Sequence, residues 1–116
     1  MEVPLETILT SSLVVAAYLD EIAPAGSRVY AIGRDGIEEA LEEKGFVLDD
    51  ENASYVVVSW DRELTWKKLC IATLLIHQGA AFIGTNPDVT FPMEWGPAPG
   101  NGATLAALEA ATGVSP

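Results

Sequence analysis

Two hydrophobic rhythms alternate along the chain. Apolar residues in 13–19 crowd together behind Thr10, Ser11 and Ser12, whose hydroxyls suit the free amides at a helix start. Pro24 and Gly26 predict the end of that helix near Ile22 and Ala23. Residues 28–33 (Arg-Val-Tyr-Ala-Ile-Gly) read as a short strand, since β-branched and aromatic side chains fit a pleated, covered surface. Asp35 is then placed to cap a helix over 37–44, stopped by Gly45. Ile37, Ala40 and Leu41 share its inner face, and Glu38, Glu39, Glu42 and Glu43 fall on a solvated one. Residues 46–48 predict a brief strand before the acidic turn 49–52.

The clearest strand is 54–60, a near-continuous run of the kind covered on both faces. Thr65 opens a helix over 66–78 that Gly79 stops, and 80–84 is a further strand. Residues 85–99 hold four prolines and no helical period, which predicts a loop with room for short strands. Asn101 and Gly102 lead into a last helix over 104–111, with Gly113 beyond it. Strands alternating with helices imply an α/β fold, a three-layer sandwich with a mainly parallel sheet and helices on both faces. No repeat, low-complexity tract or linker divides the chain, so residues 1–116 are expected to form one domain.

Composition narrows the function classes. With 49% hydrophobic and 20% charged residues the chain is globular in type. Its 17 acids against 6 Lys and Arg give a net charge of −11, which argues against nucleic acid and against anionic membrane surfaces as partners. Cys70 is the single cysteine, the N-terminus lacks a signal-peptide pattern and no apolar run is long enough to cross a bilayer, so a cytoplasmic protein is expected.

Candidate chemistry gathers where strands give way to turns. The segment 33–36 (Gly-Arg-Asp-Gly) sits at a strand-to-helix turn, but its spacing is not that of a dinucleotide fingerprint and Asp35 would repel phosphate. The glycines of 99–103 allow close approach to a ligand at a helix start, though without the lysine of a phosphate loop. His77 has no second His and no Cys pair to share a metal, and suits a helix C-terminus electrostatically. Cys70 is expected as a buried thiol. Asp61 follows the central strand, where parallel sheets bind ligands, and is equally placed to cap the next helix or to pair with Arg62. Thr85, Asn86, Pro87 and Asp88 form a stiff polar turn just past a strand, suited to presenting hydrogen-bonding groups or to stitching the loop.

Taken in order, residues 8–12, Gly33, 56–58, 60–65, 82–88 and 99–103 resemble the cap domain of a class IIA haloacid-dehalogenase-like phosphatase, of the NagD or 4-nitrophenylphosphatase type. The resemblance covers essentially the whole chain. It implies a parent enzyme that hydrolyses phosphomonoesters with Mg²⁺, through an aspartyl phosphate formed on a separate core domain. The D-x-D-G, G-K-P and acidic-pair motifs of that core do not occur in this sequence. The chain thus looks like a cap separated from its core, inactive alone, with no metal ligand and no catalytic residue of its own. By the same resemblance the partners are the catalytic core, a small phosphorylated substrate and, as in some relatives, a second copy. Asn86, Asp88 and Asp61 are then candidate substrate-recognition residues, with Thr10, Ser11, Gly100 and Gly102 at the hinges and loops. Ser59 and Trp66 depart from the commoner Gly and Tyr, and residues 93–96 follow no familiar pattern, which places these positions where substrate choice is expected to be set. A stand-alone interaction or homo-oligomerisation module is the competing expectation, with Trp60, Trp66, Phe91 and Trp95 as candidates for an exposed apolar patch.

Overall fold

Three consecutive valines, Val56, Val57 and Val58, have no exposed surface, and the architecture is built outward from them. The computed structural model describes residues 5–33, 36–85, 90–93 and 96–116. Its helices are α1 (Leu5–Ile22), α2 (Ile37–Glu43), α3 (Trp66–His77) and α4 (Asn101–Thr112). Its strands are β1 (Arg28–Ile32), β2 (Val47–Leu48), β3 (Tyr55–Val58), β4 (Ala81–Gly84), β5 (Thr90–Met93) and β6 (Gly96–Pro99). The first four strands form one parallel sheet in the order β2-β1-β3-β4, and β5 and β6 form a separate antiparallel pair.

Because side chains alternate across a strand, neighbouring valines serve opposite layers. Val29 and Val57 face α1 and α2 through Val15, Leu19, Ile37 and Leu41. Val56, Val58, Ile32 and Phe82 face α3 and α4 through Ala72, Leu75, Leu105 and Leu108. This is the three-layer α/β sandwich with helices on both faces.

Three local expectations change. The helix start expected at Thr10, Ser11 and Ser12 lies inside α1, which begins at Leu5. The inner stripe of Val15, Ala16 and Leu19 continues backward through Ser12, which is 1% exposed, so a hydroxyl occupies a core position rather than a cap. At α2 the capping position is Gly36, in a left-handed conformation with φ 95° and no side-chain hydrogen bond; Asp35 lies outside the described residues. α4 begins at Asn101, earlier than its apolar spacing indicates. Within 85–99, β5 and β6 pair antiparallel, the short strands for which that segment has room. A two-stranded ribbon has only edges, and edges tolerate Pro92, Pro97 and Pro99. The start of α3 is as expected: Thr65 Oγ1 accepts a hydrogen bond from the Lys68 amide at 3.2 Å.

Candidate functional site

The strand order places a topological switch between β1 and β3, where one crossover leads outward to β2 and the next leads the other way to β4. The crevice beyond the carboxyl ends at such a point is the usual ligand site of an open parallel sheet. Here Gly33 ends β1 with φ 152°, and a Cβ on it would lie 2.8 Å from Ser59 Cβ and 3.0 Å from Ile37 Cγ2. The two strand ends therefore close tightly on each other. Ser59 is 3% exposed and packs against this glycine.

Just past β3, Asp61 is turned onto its own loop. Its side chain is 1% exposed; Oδ2 pairs with Lys68 Nζ at 2.5 Å and Oδ1 accepts from the Glu63 amide at 2.9 Å. Lys68 Nζ also donates to the Glu63 carbonyl at 3.1 Å. This geometry anchors the loop, and the cation paired with Asp61 is Lys68 rather than Arg62. Lysines at the start of a helix oppose its dipole. Lys67 and Lys68 nonetheless stand in the first turn of α3, which has no acid, and Asp61 supplies the missing counter-charge for Lys68.

At the end of β4, Thr85 is buried and its amide donates to the Val58 carbonyl at 3.0 Å. Asn101, the first residue of α4, is 2% exposed and reaches the same place. Its Nδ2 donates to Val58 O at 3.0 Å and to Thr85 O at 2.6 Å. Its Oδ1 is buried with no partner among the described residues, a cost of about 1–3 kcal/mol. Sequence reasoning passed over both Asn101 and Lys68. A polar residue between two glycines at a helix start was the available signal for the first, and the dipole conflict for the second.

The other expected residues are spread. Asn86 and Asp88 lie outside the described residues, as do Trp95 and Asp35. Thr10 and Ser11 are within α1. Gly100 is buried at the start of α4 with φ −90° and ψ −177°, extended backbone open to any residue, and Gly102 is in the first turn. Neither glycine uses a conformation reserved for its type. Cys70 is exposed, contrary to expectation, because α3 turns Ala72, Leu75 and Ile76 inward and leaves Cys70 on its outer side. There Cys70 and His77 line a groove of about 380 Å³ between α3 and α4, together with Trp66, Leu74 and Ala111. Trp66 is 79% exposed.

A second cavity, about 320 Å³, lies beside β1 and is lined by Tyr30, Glu38, Leu48, Asp49 and Asp50. Burial, and then the charges of Asp50, Asp61 and Glu38, push the Tyr30 phenol above its ordinary value. Amide donors from Glu51 and Asn52, reinforced by Arg28 at 2.7 Å, hold Asp49 below the ordinary aspartate range. Acids on this cavity make it unsuited to an anion. Among the described residues no three His, Cys, Asp or Glu are grouped to hold a metal ion, and the buried carboxylate of Asp61 is spent on Lys68, so these residues do not fit a Mg²⁺ site. No described helix is long and apolar enough to cross a membrane.

No protein-family model matches the chain. It is 47% identical over 112 residues to an acid sugar phosphatase of Staphylococcus aureus, a match covering 96% of this chain and 43% of that protein. In structure it is similar to a glycerol phosphate phosphatase of Mycobacterium tuberculosis, with a TM-score of 0.87 and 31% identity over 91% of this chain and 32% of that one. It is similar also to a thermostable NPPase of Geobacillus stearothermophilus, with a TM-score of 0.86 and 43% identity over 90% of this chain and 42% of the other. The chain spans less than half the length of these proteins. What it shares with them, in sequence and in fold, is a segment of the haloacid-dehalogenase-like phosphatases of the NagD and p-nitrophenylphosphatase type.

Proposed function

We propose that this chain is the substrate-specificity cap of a Mg²⁺-dependent phosphomonoester phosphatase, closing over the active site of a core domain and reading the leaving group. The observation that carries this reading is the carboxyl edge of the sheet. There the Thr-Asn-Pro-Asp segment departs from β4 at Thr85, and the chain returns at Asn101, whose Nδ2 donates to the Thr85 carbonyl. In this reading the core holds the phosphate and the metal and performs the displacement. This chain's part is to exclude water from the closed site and to orient the remainder of the substrate. A net charge of −11 suits that division, since it leaves the dianionic phosphate to the core.

Asn86 and Asp88 are the proposed recognition residues, offering an amide and a carboxylate on a proline-stiffened segment. The names of the sugar and glycerol phosphate phosphatases favour hydroxyl-bearing leaving groups, which such side chains bind by donating and accepting together. Asp61 serves by anchoring its own loop after β3. The test is to place this chain between the two halves of a related core. The fusion should show Mg²⁺-dependent hydrolysis, while the isolated chain should not hydrolyse 4-nitrophenyl phosphate. Asn86→Ala and Asp88→Ala should change the ratio of kcat/KM between two substrates by about tenfold. If well-folded fusions keep one ratio through both substitutions, the recognition role is wrong.

The groove between α3 and α4, with its exposed Trp66, favours a second reading, a self-associating module without catalytic activity. Sedimentation of the isolated chain at several concentrations decides it, because a concentration-independent monomer excludes that reading.

A further inference from the structure

A primary amide carries two N–H donors on one nitrogen, and Asn101 uses them to join three elements. Val58 O is the last carbonyl of β3, Thr85 O is the first beyond β4, and Asn101 itself opens α4. Thr85 is thereby held from both sides: Val58 O accepts its amide at 3.0 Å, and Asn101 Nδ2 donates to its carbonyl at 2.6 Å. The second of these bonds grips the carbonyl through which the chain passes into Asn86. Packing alone does not call for asparagine here. The side chain is 2% exposed and leaves Oδ1 without a partner among the described residues, so an apolar residue of similar size would fill the space without that loss.

We infer that Asn101 is a positioning residue that fixes the Thr85 carbonyl in register with the first turn of α4. A shift of α4 at its start is then passed directly to Thr85 and the end of β4. The consequence for substrate choice rests on the cap reading above; the clamp itself does not.

Amide hydrogen exchange on this chain tests it. Asn101→Asp keeps the size and shape of the side chain but loses both donors when ionised, and regains one when protonated. At neutral pH the Thr85 amide should exchange at least about tenfold faster than in the unaltered chain, the loss expected for hydrogen bonds to one residue. The amides of Val47 and Asp49, bonded to Ser27 O and Val29 O at the far side of the sheet, should stay within about twofold. Near about pH 4, with the new carboxyl protonated, protection at Thr85 should return toward that of the unaltered chain at the same pH. An asparagine that merely fills space would show no such recovery. If the buried carboxylate unfolds the chain at neutral pH, Asn101→Ala carries the same expectation at Thr85 without the recovery. Unchanged exchange at Thr85, or equal acceleration at Val47 and Asp49, overturns the inference. Local acceleration in this chain together with an unaltered substrate ratio for Asn86→Ala in the fusion leaves the clamp standing and removes the recognition reading.

Discussion

Gly84→Ala measures how closely α4 is seated on β4. A Cβ at this position would lie 2.6 Å from Leu105 Cδ2, 2.8 Å from Cδ1 and 3.3 Å from Cγ. Because Cγ itself is tight, turning the isopropyl group about its own bond exchanges one clashing methyl for the other. Relief requires Leu105 to swing into a core already filled by Ile32, Val56 and Phe82, or α4 to lift. Overpacking of this kind costs about 1–3 kcal/mol, and the stiffer unfolded chain returns about 0.4–1 kcal/mol, so the net loss should be about 1–2 kcal/mol. Leu105 is 7% exposed, and Leu105→Ala alone should cost about 2–5 kcal/mol through the cavity it leaves. In that background the added methyl occupies part of the cavity, so Gly84→Ala becomes neutral or stabilising, with a coupling energy of about 1–3 kcal/mol. Urea unfolding of the four proteins, followed by circular dichroism and compared at constant slope, gives the cycle. Additivity within about 0.5 kcal/mol would show that the two residues do not meet as described.

Three further outcomes follow from the charged and titratable groups. Lys68→Met leaves the buried Asp61 carboxylate with a single donor and should cost about 2 kcal/mol, below the 3–5 kcal/mol of a fully buried pair because Lys68 is itself 35% exposed; adding Asp61→Asn should restore most of it, and equal losses in the single and double variants would refute the pairing. Tyr30 has a raised phenol, so its contribution to stability is intact below the ordinary value of 10.0 and is lost as pH rises through the native value. Tyr30→Phe should therefore remove the late limb of the phenolate absorbance titration, and a limb that survives the substitution contradicts the assignment. Asp49 has a lowered carboxyl, so its contribution is present above 3.8 and is lost as pH falls through its native value. Asp49→Asn should flatten the acid limb of the urea midpoint against pH, and an unchanged limb would place that dependence on other carboxylates.

The sheet was legible because its signals are local. The three valines of β3 admit little but a covered strand, and Thr65 caps α3 through its own backbone neighbourhood. What escaped depends on partners distant in sequence. Ser12 reads as a cap until α1 is seen to extend upstream on the same stripe. Cys70 reads as buried among Leu69, Ile71 and Leu74, yet Leu74 is 59% exposed as well, since α3 is apolar on more of its circumference than the sheet covers. Asn101 is 16 residues from Thr85 and 43 from Val58, separations at which no pattern along the chain reveals a contact. The ordered motifs located the carboxyl edge, and the bonds across it belong to tertiary structure.

The brevity of β2 has a consequence for how this domain meets other chains. Two residues cover only the first part of β1, and the edge beyond Leu48 would otherwise be an open template for another strand. That stretch borders the cavity formed with Glu38, Asp49 and Asp50. An incoming strand would have to lay its carbonyls beside these carboxylates and desolvate them, with Arg28 already committed to Asp49. Intermolecular sheet growth is thus opposed at this edge by charge instead of by a covering element, and the acids that make the cavity a poor anion site also guard the chain against aggregation.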